Sequence, residues 1–207
     1  MAGTGCGGGG GGGAIPNPSP QPSVSPALYQ PLAVGNTWTY SCGPHPARAL
    51  KVRAVSTPFP ISDTVTETAV VNGVSVFALA LQIPDPSGAI TTQTELLAND
   101  GQGNTSIYGY LISGTIQPVT PAIIIGANPV VGQSFNYTGP TGSTVPRTLQ
   151  AFTVSNPTAY GVFQNVAVYY ENGGTTSNYG YVRGIGSVEQ DHDNFLYDCT
   201  LQSYQLH

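Results

Sequence analysis

The sequence predicts an all-β protein, an antiparallel curved sheet or half-open barrel built from two related halves, behind a disordered Gly/Pro-rich N-terminal arm. Three observations carry that expectation. Charged residues make up 7% of the 207, against about 25% in an ordinary soluble domain, where helix surfaces draw on Glu, Lys and Arg. Tyr, Thr, Val and Gly take their place, the residues of pleated surfaces and turns. Turn signals recur between short alternating segments, and no stretch sustains a 3.6-residue period with caps at its ends.

Taken in order, residues 1–27 form the arm. MAGTGC is followed by seven glycines and then a run with Pro16, Pro18, Pro20, Pro22 and Pro26, which cannot bury enough apolar surface to order itself. No Lys-Ser/Thr follows the glycines, so they do not form a phosphate loop. Residues 28–207 form a single β-domain. Strands are expected at 36–43, 48–56, 63–71, 74–83, 89–97, 105–113, 133–138, 146–154, 161–171, 178–189 and 195–206. Asn72-Gly73, the Pro84 to Gly88 stretch, Asn99-Asp100-Gly101, Gly139-Pro140-Thr141-Gly142 and Asn172-Gly173-Gly174 divide them. About eleven strands exceed what a flat open sheet holds, so the sheet should curl into a barrel or split into a sandwich.

The domain repeats itself. PLAVGNTWTY (31–40) aligns with NPVVGQSFNY (128–137), VNGVSVFALAL (71–81) with AYGVFQNVAVYY (159–170), and TSIYGYLISG (105–114) with SNYGYVRGIG (177–186). Two repeats of about 28–125 and 126–207 would share one core, because each half alone would expose an apolar face.

The three cysteines divide as one plus two. Strand alternation puts Cys42 on a face with Trp38 and Tyr40, and Cys199 on a face with Tyr197 and Leu201. If the first and last strands are neighbours in an oxidising compartment, Cys42 and Cys199 form a disulfide; otherwise they are buried thiols. Cys6 is left over, immediately before the arm. Its placement resembles that of bacterial lipoproteins, whose cysteine is lipidated after a signal peptide and followed by a low-complexity tether. Thr4 and Gly5 fit that pattern, whereas Gly3 stands where Leu is usual, and the basic and apolar parts of a signal are missing. The expectation is a start assigned too late or a trimmed sequence, with Cys6 as the lipidation site. A bare N-terminus with an incidental cysteine is the alternative.

The pattern P-L-x-x-G-N-T-W-x-Y, followed by a second Val-Gly-x-x-aromatic-x-Tyr copy, resembles a family of largely uncharacterised bacterial cell-envelope lipoproteins, sometimes labelled TapB-like. Further matches are Gly161, Phe163, Val166, Val168 and Tyr170, then Tyr181, Gly184, Ile185, Gly186 and Val188, then Leu201, Ser203 and Tyr204. The resemblance implies an envelope β-protein, and no catalytic activity comes with it.

Chemistry is sparse at the level of motifs. The densest polar cluster, EQDHDNFLYD, contains Asp191, His192 and Asp193 as weak metal candidates, though it lacks calcium-loop spacing and reads more simply as a solvated hairpin tip. G-x-S-x-G, H-E-x-x-H and C-x-x-C are absent. A net charge of −5 without a basic cluster disfavours nucleic acid. No apolar run reaches the ~20 residues of a spanning helix. The expected protein is thus a non-catalytic, cofactor-free lipoprotein of the bacterial cell envelope, outer membrane or periplasm, or otherwise secreted. Its partner would be the membrane, through an anchor at Cys6, and its β-domain would bind an unidentified ligand or protein. A surface-exposed structural or adhesin-like module and a hydrolase with a dispersed site are the alternatives. Convergent polar groups in a concave pocket would favour ligand binding, a filled sandwich the structural module, and a titratable pair within reach the hydrolase.

Overall fold

A computed structural model of the chain describes residues 28–44, 57–85, 89–173, 176–192 and 197–207. They form twelve strands: β1 (Thr37–Pro44), β2 (Phe59–Val71), β3 (Val74–Pro84), β4 (Ile90–Asn99), β5 (Thr105–Ile112), β6 (Thr115–Ile125), β7 (Ser134–Thr138), β8 (Thr144–Thr153), β9 (Val166–Asn172), β10 (Thr176–Val182), β11 (Gly186–His192) and β12 (Tyr197–Gln205). Every pairing is antiparallel, in the order β6-β5-β4-β3-β2-β1-β12-β11-β10-β9-β8-β7. Consecutive strands are neighbours throughout, as short connections require. The sheet is all-β and nearly closed: β6 and β7 lie side by side at its two edges without joining its ladder.

Alternation decides which side chains fill the barrel. In β1, Trp38, Tyr40 and Cys42 are buried while their neighbours are partly exposed, and in β12 Tyr197, Cys199 and Leu201 are buried in the same way. Cys42 and Cys199 are direct cross-strand partners, their Cα atoms 4.0 Å apart, and a disulfide joins them across 157 residues. The indole of Trp38 donates to the carbonyl of Ile185, and Tyr40 Oη donates to that of Ser187 at 3.2 Å, tying β1 to the start of β11. Gly186, with φ of +107°, sits against that indole, and a Cβ there would lie 2.8 Å from its nitrogen.

Two sequence expectations are corrected. No strand was expected at 115–125, because Pro118 and Pro121 interrupt it. Yet β6 is an edge strand, where a missing N–H leaves no ladder bond unmade, and prolines there block further strand addition. The single strand expected at 178–189 is a hairpin, β10–β11, that reverses at Arg183, Gly184 and Ile185 with φ of +75° at Gly184. The strand expected at 48–56 lies outside the described residues.

The two copies of the Val-Gly motif adopt the same local structure. Gly35 N–H donates to Val65 O, Asn36 N–H to Ala33 O, and Val65 N–H to Asn36 O, at 2.8–3.0 Å. Gly132 N–H donates to Leu149 O, Gln133 N–H to Val130 O, and Leu149 N–H to Gln133 O, at 2.8–2.9 Å. Both glycines have positive φ, +93° and +85°, which only glycine adopts freely. The hydroxyl pairs Thr37–Thr64 and Ser134–Thr148 also correspond. Bulges follow Val65 in β2 and Leu149 in β8, and the extra residues of the β4–β5 and β10–β11 ladders are Tyr108 in β5 and Val188 in β11. The third sequence resemblance does not share this correspondence: TSIYGYLISG is β5, the fifth strand of the first six, whereas SNYGYV is β10, the fourth of the second six.

Candidate functional site

Reading the pairings from the motif outward shows where the chemistry lies. Trp38 pairs with Asp63 in β2, and its counterpart Phe135 pairs with Arg147 in β8. Asp63 alternates with inward Ile61 and Val65, and Arg147 with Val145 and Leu149, so both charges point into the barrel; they are 3% and 4% exposed. Glu171 in β9 is Arg147's cross-strand partner, two residues from buried Tyr169. Glu95 in β4, two residues from buried Leu97, also faces inward. Isolated ionised groups do not survive in such interiors; they are paired or they change protonation state.

Arg147 is paired. Its Nη1 lies 3.1 Å from Glu171 Oε1, its Nη2 donates to Tyr181 Oη at 2.8 Å, and its guanidinium sits 5.2–5.3 Å from the ring centroids of Tyr169, Tyr179 and Tyr181. Tyr137 Oη also donates to Glu171 Oε1, at 2.9 Å. Arg147 Nε has no partner. Asp63 is held differently: Gln190 Nε2 donates to one oxygen and Gln82 N–H to the other at 3.2 Å. Burial still dominates, and the Asp63 carboxyl is pushed up to about 7. Glu95 keeps part of its surface exposed and accepts a hydrogen bond from Gln93 Nε2 at 3.1 Å. Desolvation, then repulsion from Glu171, raises it to about 7 as well.

These groups line two adjoining spaces. A cavity of about 40 Å³, large enough for a water molecule, lies inside the barrel between Asp63, Glu95, Arg147 and Glu171. A wider one of about 350 Å³ opens beyond it, sharing Glu95, Glu171, Leu81 and Tyr179, and rimmed by Tyr137, Thr141 and Ser143. The rim belongs to the β3–β4, β7–β8 and β9–β10 turns, all at one end of the barrel. Residues 28–33 close the opposite end. Gly184 N–H donates to Leu28 O, Asn99 Nδ2 to Gln30 O and Asn36 Nδ2 to Pro31 O, while Arg183 lies 4.4 Å over the Tyr29 ring. Fold and site together define a class: a small up-and-down barrel, plugged at one end by its own N-terminal segment and open at the other onto a charged, tyrosine-rich floor.

The sequence-level candidates lie elsewhere. Cys42 and Cys199 staple the wall. Cys6 lies outside the described residues, as do Asp193 and the side chain of His192. Asp191 accepts from Asn178 Nδ2 at 3.2 Å and stands opposite Asp198 on the outer surface. Among the described residues, no three His, Cys, Asp or Glu side chains are grouped to hold a metal, and none of their helices is long and apolar enough to cross a membrane. Asp63, Glu95, Arg147 and Glu171 were missed, although alternation alone sets each among inward apolar neighbours.

No family model matches the chain, and no curated protein does. Among solved structures it is similar to a candidate lipoprotein from Parabacteroides distasonis, at 13% identity over 87% of this chain and all of that one, with a TM-score of 0.43. A candidate exported protein with a YmcC-like fold from Bacteroides fragilis shows 13% identity, the same coverage and a TM-score of 0.44. Likeness that slight carries no argument for this chain, so the motif resemblance stands as an expectation.

Proposed function

We propose that this is an exported, lipid-anchored envelope protein, without catalytic activity, that binds a small polar ligand in the open end of its barrel. One observation carries the binding reading: an open cavity of about 350 Å³, within the range of small-molecule sites, whose floor is a hydrogen-bonded cluster of charged and phenolic groups. A protein needing only a stable wall gains little from burying such groups, since an apolar core of the same volume is at least as stable. The hydrolase reading needs a titratable pair within hydrogen-bond reach and available for proton transfer in the cavity. Glu171 is committed to Arg147 and Tyr137, which leaves Glu95 without a partner for acid–base work.

Export is supported by the Cys42–Cys199 disulfide, since such bonds persist in oxidising compartments. Anchoring rests on Cys6 and the arm after it. The test is native mass spectrometry of protein purified from envelopes, with its upstream region restored, beside a Thr141→Trp variant that obstructs the rim. A small molecule retained by the natural protein and lost from the variant is the expected result. The binding reading fails if neither retains one and an envelope extract shifts no rim resonances. The anchor fails if Cys6→Ser still sediments with membranes.

A further inference from the structure

Charge bookkeeping at the open end says more about the ligand. The rim and floor of the larger cavity include two carboxylates, Glu95 and Glu171, and no Lys, Arg or His among the described residues. Arg147, beneath them, is matched by Glu171 and enclosed by three tyrosine rings. Asp63 lies deeper and is held by Gln190 and the Gln82 amide. Glu95 is therefore the carboxylate left without a counter-charge, and Tyr137 and Tyr179 line the same space. An anion entering would meet two carboxylates and a guanidinium already occupied. A positive group would meet the Glu95 carboxylate, bonded to the Gln93 amide but matched by no cation of its own, beside the Tyr137 ring, a combination that suits ammonium and guanidinium ions.

Resting on the reading above, we infer that the open end is a site for a small organic cation, its ammonium or guanidinium group seated between the Glu95 carboxylate and the ring of Tyr137. Binding then carries a proton signature. Glu95 faces Glu171 of β9 and Arg147 of β8, with Tyr110 of β5, Tyr137 of β7, Tyr179 of β10 and Asp63 of β2 around it. Burial and Glu171 hold the empty site's carboxyl near 7, so a bound cation displaces a proton and affinity falls as pH drops below that value.

Three probes of similar size test this on the full chain: 2-phenylethylammonium, 2-phenylethanol and 3-phenylpropionate, each followed by amide shifts at the rim. The ammonium is expected to bind about ten- to a hundred-fold more tightly than the alcohol, as a hydrogen bond to a charged group allows, and the carboxylate not at all. Glu95→Gln should remove that preference, bringing the ammonium down to the affinity of the alcohol for the same variant. Lowering pH from 8 to 5 should weaken the ammonium alone, and this reading on the natural protein decides the matter if Glu95→Gln does not fold. Equal binding of ammonium and alcohol at the rim, or tighter binding of the carboxylate, overturns the cation site while leaving a binding site in place. If no probe shifts the rim, both readings fail.

Discussion

The two six-stranded halves, β1–β6 and β7–β12, share backbone bonds but not contents. Gly35 and Gly132 make the same turn, and the same bulges follow Val65 and Leu149. Yet where the first half turns Asp63, Leu79, Leu81 and Leu97 inward, the matching positions of the second are Arg147, Tyr169, Glu171 and Tyr181. The frame depends on hydrogen bonds any sequence can make, given glycine at the turns; the contents depend on what faces what across the lumen. Inward charges are thus split evenly, Asp63 and Glu95 in the first half and Arg147 and Glu171 in the second, while tyrosines in the second half stand where the first has leucines.

Four experiments break or sharpen that contrast. The largest effect belongs to what holds the halves together. Replacing Cys42 and Cys199 by Ala opens the β1–β12 seam, and the loop it releases sets a ceiling of about 5 kcal/mol, measured by denaturant unfolding. Next is Arg147→Met, which strands Glu171 in the wall, its side chain 12% exposed. A loss of about 3–5 kcal/mol is expected, most of it restored by adding Glu171→Gln; full stability in the single variant would show the pair to be dispensable.

The matching position in the first half titrates where Arg147 does not. Folded Asp63 has its carboxyl near 7, against about 4 in an unfolded chain, so the folded state holds the extra proton. Its contribution is present below about 4 and is lost as pH rises to about 7. The free energy of unfolding should therefore be larger at pH 5 than at pH 8, by on the order of a few kcal/mol, with Glu95 adding less because it is partly exposed. Asp63→Asn should flatten most of the profile, and an unchanged slope would assign it elsewhere. The smallest effect compares the frames themselves. Gly35→Ala and Gly132→Ala should each cost about 1–2 kcal/mol from positive φ alone. Gly35→Ala should cost slightly more, since its new Cβ lies 3.0 Å from the His207 ring while Gly132 faces open space.

What could be read from the sequence follows the same division. β1 and β12 alternate cleanly, and Trp38, Tyr40, Cys42 and Leu201 face inward as their spacing requires. β6 escaped because Pro118 and Pro121 are tolerated only at an edge, which depends on neighbours. β10 and β11 merged because Gly184 and Gly186 also read as strand glycines. The charged cluster was half visible: alternation places Arg147 and Glu171 inward, but only the β8–β9 register makes them partners. The open end is visible still less, because its walls come from strands far apart in the chain.

The β1–β12 seam sets an order of events during biogenesis. The first strand must wait for the last, so Cys42 stays a free thiol until a partner 157 residues downstream arrives. Cys6 is available throughout that interval, and a loop closed between Cys6 and Cys42 is much the shorter and the less costly in entropy. A sulfur already carrying a lipid thioether takes no part in thiol exchange. Modification of Cys6 would then protect the barrel from a wrong crosslink as well as tether it. If Cys6 is lipidated as proposed, chain exported with that thiol unmodified should accumulate a Cys6–Cys42 species, visible as a disulfide-linked peptide after non-reducing digestion.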